Sequence, residues 1–363
     1  MTVEVSIEKI LKEALSKVTQ LGFEVTKQGS IVLNESLVYH TLSKALMEYG
    51  VIYTSIRDAI KNYPDLIEKY GFKKIKIDPK NIDDGVFLYV PKNTRLVDPI
   101  YTCFVLGRRG VRQRVYNLTV IDDGGEAVAA TGCLSLVEEG YHTSFTEVYV
   151  GRNAKLYKIM IHNWTPSVAV STVKKITLMD NAVYYDYYVN YTQLKKISFM
   201  TEIYHEGSGS TSRSDTIVVG KGESNLGYTT TAYLLATDAS AEIISRLLGM
   251  DESSIESRAT IVAEVPGTRG HVECHGLLLS DNATITTIPV LKSSTSNTNL
   301  THEASIGRIS QDELEYLMAR GFTEDEAVSI IIRGFLELGI EKIPPKLRPM
   351  ITSVLDRLSA KSM

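Results

Sequence analysis

The sequence predicts a mainly β protein whose β-rich core is flanked by α-helical segments. From about residue 85 to 300, Val, Ile, Thr and Tyr alternate in short runs such as 182–189, which is the period-two pattern of β-strands. Turn-forming Gly, Asn and Asp residues separate these runs, and only residues 239–248 suggest a helix within this region. Because crossover helices are so scarce, the pattern argues against a doubly wound α/β fold.

A degenerate repeat runs through the β-rich region. At five places a polar turn residue precedes an alanine that opens a strand-like run, and the spacings are near multiples of about 14 residues. Such a repeat favours a β-solenoid with degenerate turns. An ordinary β-sandwich whose turns look alike is the alternative, and the residues alone leave both open. The five alanines are Ala127, Ala154, Ala182, Ala241 and Ala283.

The N-terminal residues show helical rather than strand periodicity. Apolar residues recur on one stripe over 3–21, and further helices are predicted over 34–50 and over 54–70 with an interruption at a proline. These patterns predict an N-terminal helical segment over residues 1–84.

Helical signals return at the C-terminus. Ser310 and Thr323 each begin a capping-box pattern, and a last helix is predicted to begin at the prolines 344–345. Two short helices could indicate a DNA-binding helix-turn-helix. However, residues 308–341 contain three Arg and no Lys against eight acidic residues, a charge that repels phosphate. A helical protein-docking module is therefore the better interpretation.

Composition excludes several classes of partner. The 39 basic and 43 acidic residues give a net charge of −4, which argues against a broad nucleic-acid or anionic-membrane surface. No apolar run approaches the roughly 20 residues that span a bilayer. Since the N-terminal residues also carry several acidic side chains, we expect no targeting signal and a cytoplasmic location.

The three cysteines are too few for a disulfide framework and imply a reducing compartment. No CxxC motif is present, so one chain cannot supply a closed zinc site or a permanent four-cysteine iron–sulfur cluster. Cys103 has no candidate metal-ligating residue nearby in the sequence and is predicted to lie in the core. Cys133 is either a packed strand cysteine or a thiol that accepts persulfide sulfur.

A second group of candidate residues lies further along the chain. Cys274, His275, His302 and Glu303 offer a thiolate, two imidazoles and a carboxylate, all of which can ligate iron. A mixed and incomplete ligand set suits a site that must release a metal cargo. The alternative is that the cysteine is a buried small hydrophobe and the histidines are ordinary hydrogen-bonded or surface residues.

Several motifs resemble those of the SufB/SufD family, the scaffold subunits of the SUF iron–sulfur cluster assembly system. The resemblance runs in one order from about residue 50 to 340. The matching segments are Thr301-His-Glu-Ala-Ser-Ile-Gly-Arg-Ile309 with the following Gln311-Asp-Glu-Leu-Glu-Tyr, Phe87-Leu-Tyr-Val-Pro-Lys92, Gly132-Cys133, Asn163-Trp164 and His271-Val-Glu-Cys274.

The resemblance implies a right-handed parallel β-helix over 85–304 between helical segments 1–84 and 305–363. It also implies dimerisation through the β-helix, as a homodimer or a SufB–SufD-type heterodimer, with a transient iron–sulfur cluster of undetermined type at the interface. The C-terminal helices would bind a SufC-like ABC-type ATPase. A sulfur donor and apo-protein acceptors would be the other partners.

Particular residues inherit roles from this resemblance. SufB-type proteins use the cysteine matching Cys274 and the acid matching Glu303, SufD-type proteins use the histidine matching His302, and Cys133 matches the sulfur-accepting cysteine. His275 stands where the family has Asp and is a candidate extra ligand. Asn163, Trp164 and Lys174 would line an internal sulfur tunnel.

Three functional hypotheses are weighed against these features. The first is a non-enzymatic scaffold, with ATP hydrolysis in the partner, and the features are closer to SufB than to SufD. The second is a SufD-like structural subunit that carries no cluster alone. A β-helix carbohydrate-active enzyme would need paired acids across a groove, and the predicted strands offer no obvious pair.

Overall fold

The structure, a computed structural model, describes residues 2–337 and 339–360. Residues 1 and 361–363, at the ends of the predicted terminal segments, lie outside these ranges. The helices are α1 Thr2–Gln20, α2 Lys44–Glu48, α3 Ile56–Asn62, α4 Pro64–Tyr70, α5 Gln311–Met318, α6 Glu324–Leu336 and α7 Arg348–Ala360.

Nineteen strands account for most of the remaining residues described. They are β1 Gly29–Leu33, β2 Ser36–Thr41, β3 Ile52–Ser55, β4 Val86–Val90, β5 Ile100–Leu106, β6 Val111–Ile121, β7 Glu126–Ser135, β8 Glu139–Val150, β9 Lys155–Asn163, β10 Ser167–Leu178, β11 Val183–Asn190, β12 Lys196–His205, β13 Thr211–Gly220, β14 Asn225–Leu234, β15 Ser240–Gly249, β16 Ser254–Ala263, β17 Arg269–Leu278, β18 Thr284–Ser293 and β19 Asn299–Arg308.

The strands form a parallel β-solenoid. Sheet A has the order β19-β17-β15-β13-β11-β9-β7-β5-β1-β2, and sheet B has the order β18-β16-β14-β12-β10-β8-β6-β4-β3. Consecutive strands from β4 to β19 therefore alternate between the sheets, and each turn adds one strand to both. The solenoid prediction is confirmed and the sandwich alternative is wrong. The repeat near 14 residues in the sequence is half a turn, one strand with its corner.

Asparagines hold successive corners in register. Asn153 and Asn181 both have φ of 54°, in the left-handed region that Asn tolerates better than most residues. The Asn181 amide donates a 3.2 Å hydrogen bond to the Asn153 side-chain oxygen, one turn and 28 residues away. The buried Ala154 and Ala182 follow them, which explains the polar-residue–alanine repeat.

Three hydrophobic clusters hold the fold together. The first fills the solenoid interior between the two sheets. The second lies outside sheet A, where α1, α6 and α7 cover it with Val18, Ile332 and Leu355. The third lies outside sheet B at its N-terminal end, under α3 and α4.

Two helix predictions are wrong. Over 34–50 the chain forms β2 and the short α2, because β2 pairs antiparallel with β1 and closes the N-terminal edge of sheet A. Asn34 caps no helix; its side-chain oxygen accepts a 2.8 Å hydrogen bond from the Gly107 backbone N–H. Over 239–248 the chain forms β15, whose two faces are both buried, so its apolar run lacks strand alternation.

The other terminal predictions agree with the structure more closely. The helices predicted over 3–21 and 54–70 correspond to α1 and to α3 with α4, although β1, β2 and β3 also fall within residues 1–84. Thr323 and Glu326 form the predicted capping box of α6, whereas the Ser310 side chain makes no capping hydrogen bond. The last helix begins at Arg348, after the prolines rather than at them. The three-segment division of the chain stays a prediction.

Replacing Asn181 tests the asparagine corner. We expect Asn181→Ala to lower the free energy of unfolding by about 1–2 kcal/mol, because a β-carbon without a local hydrogen bond disfavours the left-handed conformation. Asn181→Gly keeps that conformation accessible and should cost about 0.5–1 kcal/mol, the net value of the lost hydrogen bond. Urea unfolding measures both, and equal losses would contradict the role of φ.

Candidate functional site

Inward side chains stack in rows because the turns of the solenoid are in register. In sheet A, Cys133 pairs with His162, which pairs with Asn190. A neighbouring row contains Lys158 and Asp186, which are also register partners. All five side chains are at least nine-tenths buried. The solenoid interior is therefore polar around β7, β9 and β11.

A buried charge cluster occupies this part of the interior. Lys174, on sheet B, donates a hydrogen bond across the interior to Asp186 on sheet A. Lys158 makes no hydrogen bond within the described residues. Burial and the nearby Lys174 cation lower the pKa of Lys158 to about 8.

Cys133 lies in this interior with 1% of its surface exposed. Burial raises the pKa of its thiol, and the positive charge of Lys158 acts in the opposite direction. Burial dominates, so the thiol is neutral and protected at pH 7. A reagent must open the interior before it can react with this sulfur.

Aromatic rings close the interior on the far side of Cys133. The Trp164 ring lies 5.2 Å from His142 and 5.6 Å from His162, between centroids. The Trp164 indole N–H is buried and has no hydrogen-bond acceptor among the described residues. His162 Nδ1 is 2.9 Å from the Tyr188 hydroxyl, which is 3.2 Å from the Tyr228 hydroxyl.

Three of the four predicted sulfur-acceptor and tunnel residues share this interior, namely Cys133, Trp164 and Lys174. Asn163 does not. It follows the inward His162 along β9 and pairs with Leu134, which belongs to the cluster outside sheet A. Its half-buried side chain therefore lies on the opposite face of the sheet from the proposed tunnel.

The predicted cluster ligands lie near the other end of the solenoid. Val272 pairs with His302 and Cys274 with Ala304, so Cys274 and His302 share the inner face of neighbouring strands. Strand geometry separates their Cα atoms by about 8 Å. Cys274 is buried, and burial raises its pKa to about 11, although a Ser245 hydrogen bond lowers it in part. His302 is exposed.

Glu303 and His275 lie on the outer face instead. His275 Nε2 is 3.9 Å from a Glu303 carboxylate oxygen and 3.2 Å from one of Glu273. The four predicted metal-ligating residues therefore divide into an inner pair and an outer pair. Within residues 2–337 and 339–360, no three His, Cys, Asp or Glu side chains form a group that could hold a metal ion. The described residues of one chain thus supply an incomplete set.

The last strand leaves an edge of sheet A open. No described strand pairs with β19 on the side away from β17. Nine of its ten residues are exposed, including residues on both faces. Such an edge presents unpaired backbone N–H and C=O groups to a further strand or partner.

The C-terminal helices expose a second apolar surface. Tyr316, Met318, Phe322 and Ile330 on and after α5 and on α6 are 41–59% exposed. A groove of about 390 Å³ lies beside them and also includes the acidic Asp312 and Glu313. Among the helices described, none has the length and apolar character needed to cross a membrane.

Comparison with known proteins accounts for this combination of solenoid and helices. A family model described as the SufBD core domain of SUF-system iron–sulfur cluster assembly matches residues 104–335. A second model, the SufBD N-terminal region, matches residues 23–101. The chain belongs to the SufBD family. Membership of this family supports a role in iron–sulfur cluster assembly.

Curated relatives of this SufBD protein carry the same family description, "iron–sulfur cluster assembly SufBD family protein". One from Methanothermobacter thermautotrophicus (strain Winter) is 34% identical over 281 residues, which cover 77% of this chain and 68% of the relative. One from Archaeoglobus fulgidus is 29% identical over 351 residues and covers 94% of both chains. One from Staphylococcus saprophyticus is 26% identical and covers 94% of this chain and 77% of the relative.

Sequence reasoning missed several interior residues. Lys158, Asp186 and Tyr188 stand in strands whose alternation is plain, but alternation alone does not show which residues share a row. The spacing of these residues in the sequence carried a signal. Ala129, Lys158 and Asp186 are successive register partners 29 and 28 residues apart, close to the 28 residues that separate the corner asparagines.

Burial of neutral histidine should make this protein sensitive to acid. Burial lowers the pKa of His142 to about 3, against about 6.5 in an unfolded chain. The unfolded chain therefore binds the proton first, and stability present above pH 6.5 is lost as the pH falls toward 3, by about 1.4 kcal/mol per pH unit. We expect His142→Gln to reduce the loss between pH 6.5 and 4 by about 3 kcal/mol.

The exposed His40 provides the control for this measurement. Urea unfolding as a function of pH should give parallel curves for His40→Gln and the wild-type protein. A His142→Gln curve that is also parallel would contradict the assignment of acid sensitivity to the buried ring.

Proposed function

We propose that this SufBD protein is a scaffold on which an iron–sulfur cluster is assembled and from which it is transferred. The observation that carries the proposal is the position of Cys274 and His302 on the inner face of β17 and β19, next to the open edge of the sheet. A thiolate and an imidazole are suitable iron ligands, but two are fewer than a cluster needs. A second subunit at this edge supplies the rest.

The second subunit is another copy of the chain or a SufB–SufD-type partner. Edge pairing at β19 would satisfy its unpaired backbone groups and bring the partner's ligands to Cys274 and His302. Glu303 and His275 lie on the outer face and can ligate the cluster only if the edge of the sheet rearranges. Cluster type is set by the combined ligands of both subunits.

An internal sulfur route connects the two ends. Five strand steps of sheet A separate Cys133 from Cys274, a distance of about 24 Å along the solenoid axis. Tyr188 lies beside Cys133's partner His162 by way of their hydrogen bond. From there, Tyr188, Thr216, Ser245 and Cys274 are successive register partners, so polar side chains line the interior to the cluster site.

The exposed groove on α5 and α6 receives an ABC-type ATPase of the SufC kind. The exposed aromatic and methionine side chains in and beside the groove are the types enriched at protein interfaces, and the two acidic residues that line it select a basic partner surface. ATP hydrolysis resides in that partner, and the chain itself is not an enzyme. A sulfur donor and apo-protein acceptors complete the cytoplasmic system.

A SufD-like structural role is the second candidate. It is favoured by the incomplete ligand set and by the raised pKa of Cys274, which opposes thiolate ligation at pH 7. Such a subunit would bind the ATPase but retain no cluster alone.

Anaerobic reconstitution separates these two candidates. We expect the full chain with its ATPase partner to bind iron and acid-labile sulfide. Cys274→Ser and His302→Ala should each lower loading at least about fivefold, since each removes one of few ligands. Cys103→Ser, a buried cysteine outside sheet A, is the matched control. Full loading by Cys274→Ser would overturn the scaffold assignment.

In the same assay, changing the sulfur source distinguishes the proposed role of Cys133 from that of Cys274. With inorganic sulfide, Cys133→Ser should load as well as the wild-type protein, because sulfide needs no acceptor thiol. With a persulfide as the sole sulfur source, and an added non-thiol electron donor that reduces the transferred sulfur to sulfide, the same variant should lose loading. Equal loading from both sources would contradict the acceptor role of Cys133.

Substitutions on the helical groove test ATPase docking. The double variant Tyr316→Ala with Phe322→Ala should weaken binding about tenfold or more, because exposed aromatics dominate such interfaces. α5 has no buried residues, so its fold should tolerate the change. Tyr141→Ala, 40% exposed on β8, is the control and should bind normally in isothermal titration. Equal affinity of the double variant would place docking elsewhere.

A further inference from the structure

Tyr53 closes the N-terminal end of the solenoid interior. It lies on β3, opposite the inward Leu88 of β4, and only 5% of it is exposed. Its hydroxyl lies 2.6 Å from Ser30 Oγ and 2.9 Å from Thr102 Oγ1, and it donates a 2.9 Å hydrogen bond to the Tyr101 carbonyl. These contacts fix the ring across the gap between the two sheets.

Two open spaces border Tyr53. Inside is a cavity of about 40 Å³, which includes Thr131, Lys158 and Met160 in its wall and has room for about three water molecules. Outside is a surface groove of about 720 Å³ that includes His40 and Met47. Among the residues that the structure describes, Tyr53 alone lines both spaces.

The inner cavity borders Cys133. Thr131 is two positions before Cys133 on the same face of β7, a separation of about 7 Å along a strand. Phe104, the register partner of Cys133, also lines the cavity. The groove, Tyr53 and the cavity therefore lead from solvent to the neighbourhood of the buried thiol.

The cavity also contains a cation suited to an anionic ligand. Lys158 is 94% buried, lines the cavity and makes no hydrogen bond to any described residue, whereas the nearby Lys174 is already paired with Asp186. A buried ammonium without a hydrogen-bonding partner is costly and attracts a negative group.

The Cys274 end of the interior is farther from Cys133 than the N-terminal end. Five strand steps of sheet A, about 24 Å, separate Cys274 from Cys133. At the N-terminal end, Phe104, a register partner of Cys133, lines the cavity behind Tyr53.

We propose that the groove, Tyr53 and the cavity form the inlet through which persulfide sulfur reaches Cys133. Tyr53 is the gate residue of this inlet, and Lys158 is the cation that binds the sulfur anion. The inlet rests on the proposed acceptor role of Cys133. In the transfer, the Cys133 sulfur attacks the terminal sulfur of the persulfide and forms a new S–S bond. The donor's S–S bond breaks, and the donor leaves as a thiol with the proton from Cys133. No net oxidation or reduction occurs.

Thiol labelling of the full chain tests the role of Tyr53 as the gate residue. In a Cys103→Ser, Cys274→Ser background, a small neutral methanethiosulfonate reports on Cys133 alone. Tyr53→Phe removes the hydroxyl contacts but keeps the ring, and we expect about tenfold faster labelling because each lost hydrogen bond contributes about 1 kcal/mol. Tyr53→Ala should label faster still.

Tyr101→Ala is the matched control for loosening of the same end. Tyr101 is 6% exposed and lies on β5 outside sheet A, where its ring packs 5.8 Å from Phe23. It should label at the wild-type rate. Labelling of both Tyr53 variants at the wild-type rate, or equally faster labelling of Tyr101→Ala, would overturn the assignment of Tyr53 as the gate residue.

Lys158 is tested with cysteine persulfide as the sulfur source. Lys158→Met should slow sulfur transfer to Cys133 about tenfold more than it slows labelling by the neutral reagent, because loss of the Lys158 charge raises the pKa of the Cys133 thiol in both reactions. Lys158→Arg should restore transfer, because it restores the charge. Unchanged transfer in Lys158→Met would overturn the role of the cation. If Cys133→Ser assembles clusters from persulfide normally, the acceptor function fails, whereas the labelling rates still report on the inlet.

Discussion

The structure depends on the in-register stacking of successive parallel turns. Each strand pairs with the strand of the next turn, so every inward side chain lies directly beside the residue one turn away. A row of such partners is only about 4.8 Å between neighbours, which forces chemically compatible residues into contact. The corner asparagines, the interior charge cluster and the polar row toward Cys274 all follow from this geometry.

The same stacking lowers the free-energy cost of burying polar side chains in the interior. Lys174 and Asp186 neutralise each other, and the histidines remain uncharged because burial lowers their pKa. Apolar residues occupy the rest of the interior and provide most of its stability. The interior is thus polar around the charge cluster and a packed apolar core elsewhere.

Much of the fold could be predicted from the sequence because its signals are local. Period-two alternation predicted the strands, the polar-residue–alanine corners favoured a solenoid over a sandwich without excluding the sandwich, and capping residues predicted α6. Segments buried on both faces, such as β15, lose alternation and mimic a helix. The β1–β2 pairing depends on a distant edge that no local pattern describes.

The candidate site was predicted less completely. The number of residues in each solenoid turn decides which face of the sheet a side chain lies on. Cys274 pairs with Ser245 on one side and Ala304 on the other, and the second interval is one residue longer. That residue places Ala304 beside the thiol and turns Glu303 to the opposite face. The sequence motif does not distinguish Cys274, His302 and Glu303, whereas the register places Cys274 and His302 on the inner face and Glu303 on the outer face.

The open edge at β19 has a thermodynamic consequence for the whole molecule. In a solenoid, stability is close to a sum of nearest-neighbour terms, and the terminal turn has a neighbour on one side only. Its strands fray at lower cost than those of the interior turns. A subunit that added to this edge, as proposed above, would act as one more turn, and the order of the terminal turn would then rise with the concentration of that subunit.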